Sequence, residues 1–171
     1  LPGGADHPVG KTGVAISYSE PDIVYALFEI ESPAFYRSED FGDTWELMTR
    51  NHSINERAPY YTRMRVSTDD PNEVYFANVK FSISNDGGKT IKSGYGAGGD
   101  NHDIWIDPTN PDRIMVAHDG CASISLNHGK SYQRIVLPIA QMYHVSVDDQ
   151  IPYNVYGNRQ DGYSYKGPSN S

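Results

Sequence analysis

One eight-residue turn occurs three times in this chain: Ser38-Glu-Asp40-Phe-Gly42-Asp-Thr44-Trp45, Ser84-Asn-Asp86-Gly-Gly88-Lys-Thr90-Ile91 and Ser125-Leu-Asn127-His-Gly129-Lys-Ser131-Tyr132. Its glycines stand 46 and 41 residues apart, and a fixed period in that range marks a repeat architecture. The pattern, Ser-x-Asp-x-Gly-x-Thr-aromatic, has a physical logic. The Asp or Asn side chain can accept from the turn's own backbone amides, and Gly supplies a backbone conformation that other residues resist. The last residue can then bury its ring under the turn. All of these positions are expected to be structural.

The repeat continues outside the turns. Each copy is preceded by two strand-like runs around a Pro/Asp/Asn turn. These are residues 14–18 and 23–30, then 62–67 and 73–79, then 103–107 and 113–118. A fourth pair, 144–147 and 154–158, has no copy of the turn after it. A third run leads into each turn (34–37, 80–84, 122–126) and a fourth leaves it (44–48, 90–93, 131–136). One unit is therefore four antiparallel strands, which is a propeller blade. The spacing predicts an all-β propeller of about three and a half blades: 11–57, 58–99, 100–140 and an incomplete 141–166, with a tail at 167–171. Closed propellers use about four to eight blades. The remaining blades are expected from the same or another chain, and the chain is expected to be a piece of something longer.

Composition agrees. Tyr (13), Gly (16) and Pro (11) are common, and no long amphipathic helical pattern appears. A formal net charge of −8 argues against nucleic acid and anionic membrane as partners. No run is apolar enough for membrane insertion, and no signal-peptide pattern opens the chain. The single Cys121 excludes an internal disulfide framework.

Several strings carry a resemblance: Pro21-Asp-Ile-Val-Tyr25, Tyr60-Tyr61, Gly99-Asp100-Asn101-His102-Asp103-Ile104-Trp105-Ile106-Asp107-Pro108, His118-Asp119-Gly120, Gln141-Met-Tyr143-His144-Val145 and Tyr156-Gly-Asn-Arg-Gln160-Asp161. With the three turns, known as Asp boxes, they resemble the bacterial Asp-box repeat proteins of the glycosyl-hydrolase or bacterial-neuraminidase type and the sortilin-like propellers. The resemblance covers nearly the whole chain. It implies a secreted, periplasmic or cell-surface protein that is usually longer than this one. Ile91, Asn127, Tyr132 and Cys121 depart from the pattern. Fold and repeat do not by themselves decide function.

Strand order puts the boxes on one face and a set of polar residues on the other. Asp100, Asn101, His102 and Asp103 open the first strand of the third unit, and His118 and Asp119 close its second. Pairing Asp107 with Arg113 across the turn would set His102 opposite His118. The fourth unit adds Gln141, Tyr143, His144, Gln160 and Asp161; the second adds Tyr61, Arg63 and Asn78; the first adds Lys11 and Glu29. Tyr61, Arg63, His102, Asp103, His118, Asp119, His144, Gln160 and Asp161 are thus candidates to face one channel mouth and bind a ligand.

Three roles are open to this cluster. It can lock neighbouring blades through hydrogen bonds. It can bind protein, peptide or glycan, with Arg63 gripping a carboxylate and Tyr rings stacking. It can carry chemistry. His102, His118 and His144 could ligate a divalent metal, but their spacing is no recognised signature, and neither metal nor cofactor is expected. Asp103, Asp119 and Asp161 are the candidate carboxylates for glycoside hydrolysis, which needs two of them about 5 to 9 Å apart. Arg63 and Arg159 do not make the three-Arg cluster of a sialidase. Trp45 and Trp105 read as core or box residues, residues 94–99 as a flexible connection and residues 51–59 as a polar, mobile loop. The favoured function is a non-catalytic extracytoplasmic binding or scaffold propeller. The alternatives are a glycoside hydrolase with its acid and base partly elsewhere, and a structural subunit of an exported assembly.

Overall fold

The computed structural model describes residues 1–2, 8–94, 97–136, 142–160 and 163–170. Among these residues fifteen strands form four antiparallel sheets in strict sequence order. The first holds β1 (Thr12–Ile16), β2 (Val24–Phe28), β3 (Ala34–Ser38) and β4 (Glu46–Thr49). The second holds β5 (Arg63–Val66), β6 (Val74–Ala77), β7 (Ser82–Ser84) and β8 (Lys92–Ser93). The third holds β9 (Asn101–Asp107), β10 (Asn110–His118), β11 (Cys121–Ser125) and β12 (Gln133–Ile135). β13 (Met142–Val147), β14 (Asn154–Arg159) and β15 (Ser164–Pro168) make a three-stranded sheet. The chain divides into two compact units, Leu1–Val136 and Leu137–Ser171. This is a β-propeller architecture of three complete blades and a partial fourth.

In the first unit β1, β5 and β9 are neighbours, so the first strand of each sheet is innermost. The core lies between successive sheets. Tyr25, Leu27 and Phe35 of the first meet Met64, Val66, Val74 and Phe76 of the second. Tyr75, Ala77 and Phe81 on the second sheet's other face meet Ile104, Ile106, Ile114 and Val116 of the third. Successive side chains on a strand point to opposite faces. A blade with a neighbour on each side therefore buries every residue of its central strand, and Val74-Tyr75-Phe76-Ala77 are all buried. β1 alternates instead, with Val14 and Ile16 exposed.

The three boxes share one hydrogen-bond pattern. Ser38 Oγ accepts from Gly42 N (2.8 Å) and donates to Asp40 Oδ1 (2.7 Å), which also accepts from Thr44 N (2.8 Å). Ser84, Asp86, Gly88 and Thr90 repeat this at 2.7, 2.8 and 2.8 Å. In the third box Asn127 Oδ1 accepts from Ser125 Oγ and Ser131 N, and Nδ2 donates to Ser131 Oγ (2.8 Å), so the amide replaces the carboxylate without loss. Trp45 tucks under its turn and donates from Nε1 to Gly42 O (2.7 Å). The residue before each box glycine is also left-handed: Phe41 (φ 60°), Gly87 (φ 68°) and His128 (φ 58°). Its N–H reaches the carbonyl of Asp22, Asn72 or Asp112, tying the box to the first hairpin turn of its own sheet. Hydrogen bonds from Thr44 hold the Asp40 carboxyl below its usual range, and those from Thr90 hold Asp86 at about 2.

The boxes also dock blades to one another. A Cβ added at Gly88 would stand 2.2 Å from Phe35 Cε1, and one at Gly87 2.3 Å from Arg37 Nη1. The second box is thus pressed against the first sheet. Tyr25 donates to Pro71 O (2.7 Å) and Arg37 to Asn72 Oδ1 (2.6 Å) across the same junction. At the next junction His128 of the third box sits 2.8 Å from Glu73 Oε2 and 3.5 Å from Asp112 Oδ1, and Tyr75 donates its hydroxyl to Glu73.

Four expectations are corrected. Asp107 pairs with Asn110, not Arg113; Arg113 reaches it only through its side chain (2.9 Å). Residues 51–59 are more than a polar loop. They hold a 3-10 turn, His52–Ile54, and bury Ile54, Asn55 and Ala58 against the sheets. Trp105, on β9, is 49 % exposed and belongs to neither core cluster. β15 runs to Pro168, into the stretch read as a tail.

Candidate functional site

At the end of the first unit remote from the boxes, three segments converge. They are the loop before β5, the start of β9 and the β10–β11 turn. Arg57 (φ 50°), Thr62 (φ 75°) and Asp100 (φ 53°) all adopt left-handed backbone conformations, which are uncommon for residues other than glycine and cluster at binding sites. Asp100 N–H donates to Val79 O (2.9 Å), and Asp100 O accepts from Asp119 N (3.2 Å), so backbone bonds fix both acidic residues.

The side chains form a linked row. Tyr61 is buried, and its hydroxyl donates to Asp100 Oδ1 at 2.5 Å. Burial first, and then the Asp100 carboxylate, push that phenol up to about 12. Arg57 stands 3.5 Å from Asp100 Oδ1 and lies over the rings of Tyr60 (5.4 Å) and Tyr61 (5.9 Å). The ring of Tyr61 meets that of His102 at 5.2 Å. His102 Nε2 is 2.6 Å from Asp119 Oδ1. Further along β5 and β9, Arg65 approaches Asp103 Oδ1 at 3.4 Å. Tyr60 is 68 % exposed and projects from this row.

His118 does not share the row. The third sheet keeps the anticipated register from Ile114 to Ala117, then a bulge sets His118 opposite Asn101 and leaves His102 as the extra residue. His102 stays at the surface. His118 is drawn into the blade, against Gly98, where a Cβ would come within 2.6 Å of its ring. Gly120 N–H donates to His118 Nδ1 (3.1 Å), so in the neutral ring the proton sits on Nε2 and is donated to Ser123 Oγ (3.0 Å). Burial first, and the nearby Arg134 guanidinium second, pull this imidazole below its ordinary value. With both nitrogens engaged, His118 is not placed to ligate a metal alongside His102. Among the described residues no three His, Cys, Asp or Glu side chains are grouped to hold an ion.

Of the other candidates, Arg63 is exposed on β5 and carries no ion pair with a described residue. Asn78 is buried and donates to Ser53 O (3.3 Å), and Glu29 accepts from Lys11 N (2.7 Å), so both serve the fold. His144 lies on β13 and Gln160 just after β14, both exposed, in the second unit. Gln141, Asp161 and the Tyr143 side chain lie outside the described residues. Arg57, Tyr60, Arg65, Ser123 and Arg134 were not anticipated from sequence. The one signal that pointed their way was the Tyr60-Tyr61 pair with Arg57 three residues before it.

No protein-family model and no curated protein matches the chain. Solved structures do. A GH74 enzyme from Niastella koreensis is similar with a TM-score of 0.55 at 18 % identity, over 91 % of this chain and 22 % of that one. A GH74 xyloglucanase from Xanthomonas campestris gives 0.55 at 14 %, over 90 % and 27 %. An ancestral GH74 enzyme gives 0.57 at 12 %, over 98 % and 26 %. The chain spans about a quarter of the length of these structures. At such identities the likeness speaks for backbone architecture alone, and the architecture it supports is the β-propeller.

Proposed function

We propose that this chain is part of a non-catalytic binding or scaffold propeller that engages protein, peptide or glycan at the edge built from Tyr60, Tyr61, Arg57 and His102. The observation that supports this is the pairing of the nearby carboxylates. Asp100 accepts from Tyr61 and faces Arg57, Asp103 faces Arg65, and Asp119 faces His102. What remains open to a partner is an aromatic face with a guanidinium over it, suited to stacking and to polar contacts. No helix among the described residues is long and apolar enough to cross a membrane. In this reading the protein is exported, its units run as 11–57, 58–99, 100–140 and 141–166, and further blades come from the same or another chain.

A glycoside hydrolase on the same fold would need a carboxylic acid held protonated by an apolar setting. The Asp103 and Asp119 side chains are 58 % and 67 % exposed, which disfavours that role. The test is calorimetric titration of the chain with panels of soluble oligosaccharides and peptides, comparing wild type with Tyr60→Ala. Loss of one aromatic anchor is expected to weaken binding by about tenfold or more. Turnover of a polysaccharide that disappears in Asp119→Asn would instead establish the hydrolase.

A further inference from the structure

Beneath the β10–β11 turn lies a pocket of about 160 Å³, walled by Gly98, Gly99, Gly120, His118, Ser123 and Arg134. A water takes about 30 Å³ of liquid, so the space holds several waters and has room for a carboxylate or phosphate group. Its walls are unusual for a chain of net charge −8: they contain a guanidinium, an imidazole and a hydroxyl, and no carboxylate. Arg134 donates from Nε (3.2 Å) and Nη2 (2.8 Å) to Gly120 O, which fixes the plane of the guanidinium. It has no acidic partner among the described residues. Asp119, one residue away, is turned to His102.

Ser123 completes the arrangement. Its buried oxygen accepts from His118 Nε2, and no described acceptor takes its own proton. The Ser123 O–H is therefore available to the pocket it lines.

We propose that this pocket is an oxyanion site, taking the carboxylate or phosphate group of a ligand, with Arg134 as counter-ion and the Ser123 hydroxyl as a second donor. It uses different residues from the aromatic edge and does not depend on that edge's role. An anion held here would also favour the charged form of His118, so binding and protonation of that ring are linked.

The test is an NMR titration of the His118 ring signals with inorganic phosphate and, separately, with acetate, at constant ionic strength. Saturable shifts and an upward move of the His118 titration are expected. Saturation by phosphate alone identifies a phosphate site, and saturation by acetate identifies a carboxylate site. Arg134→Gln removes a charge-assisted pair and should weaken binding by at least about tenfold. Because Arg134 also braces the turn, Ser123→Ala is the second variant: it leaves the Arg134–Gly120 brace in place, deletes the second donor and should weaken binding several-fold. Absence of saturation with both anions, or unchanged affinity in both variants, overturns the proposal.

Discussion

Gly42 and Gly88 occupy the same place in their boxes and have nearly the same backbone, φ 98° and 96°. Their surroundings differ. A Cβ at Gly42 meets only Trp45 Cζ2 at 3.4 Å, an ordinary contact within its own turn. A Cβ at Gly88 meets Phe35 at 2.2 and 2.5 Å and Met48 Cβ at 3.3 Å, all on the preceding blade. Both substitutions to Ala bear the left-handed penalty of about 1–2 kcal/mol. Only Gly88→Ala adds overpacking of about 1–3 kcal/mol, because Phe35 is stacked on Tyr25 at 5.3 Å and edge-on to Phe76 at 5.1 Å and has no room to yield. Gly42→Ala is therefore expected to cost about 1–2 kcal/mol and Gly88→Ala about 2–5. With a urea slope of about 2 kcal/mol per molar, the gap between them is a midpoint difference of about 0.5–1.5 M. Urea unfolding followed by tyrosine and tryptophan fluorescence reads it. Equal midpoints would refute the claim that box glycines mediate contact between blades, and would return them to a role inside the hairpin alone.

Three pH effects follow from the titrating groups. Asp86 is held at about 2 by Thr90, so its contribution is complete above the ordinary carboxylate value near 4 and is lost as pH falls toward 2. Asp86→Asn, which imitates the natural Asn127 box, should flatten that limb of the stability curve and leave neutral stability nearly unchanged. His128 loses to burial but gains more from Glu73, Asp69 and Asp112, so its pKa is raised. Its contribution is full below about 6.5 and declines as pH rises through the folded value; in His128→Gln the difference in urea midpoint between pH 6 and pH 8.5 should shrink. His118 is shifted the other way, so its contribution is present above about 6.5 and lost on acidification. Following the two ring signals by NMR should show His128 titrating above His118, and the reverse order would contradict both assignments.

The repeat was legible because each box encodes its own hydrogen bonds. Ser38, Asp40, Gly42 and Thr44 bond within eight residues, and the same pattern recurs at Ser84 and Ser125. Strand alternation then followed from the apolar runs. The docking of Gly88 on Phe35 was not legible, since it joins residues more than fifty positions apart and depends on sheet packing. The site failed at one residue. The pairing of β9 with β10 was right from Ile114 to Ala117; beyond it a single bulge puts His102 out of step and leaves it at the surface, while His118, in step with Ile114 and Val116, is buried. A register shift of one residue exchanges faces, and nothing in Asp-Asn-His-Asp announces it. Arg57 and Arg65 were missed because pairing with Asp100 and Asp103 is a property of neighbouring blades.

The two ends of the first unit use acidic groups differently, and this bears on what the chain can do. At the box end Asp40 and Asp86 accept hydrogen bonds from within their own turns, which hold both below the ordinary carboxylate value. Each of these carboxylates is committed to one conformation by three bonds from its own turn. At the other end Asp100, Asp103 and Asp119 have partners from other segments: Arg57 and Tyr61, Arg65, and His102. These pairs are exposed or half-exposed, and exposed ion pairs are weak, about 0–1 kcal/mol each. A ligand offering its own cation or hydroxyl groups can exchange partners with them at little net cost, while the buried ring of Tyr61 keeps the frame in place. The binding reading therefore needs no rearrangement of the backbone. It predicts that Arg57→Ala and Arg65→Ala change affinity and salt dependence while leaving the urea midpoint within the small range expected of surface substitutions. A large loss of stability in either variant would show that the row is a structural lock between blades, and would remove the aromatic edge as a docking surface.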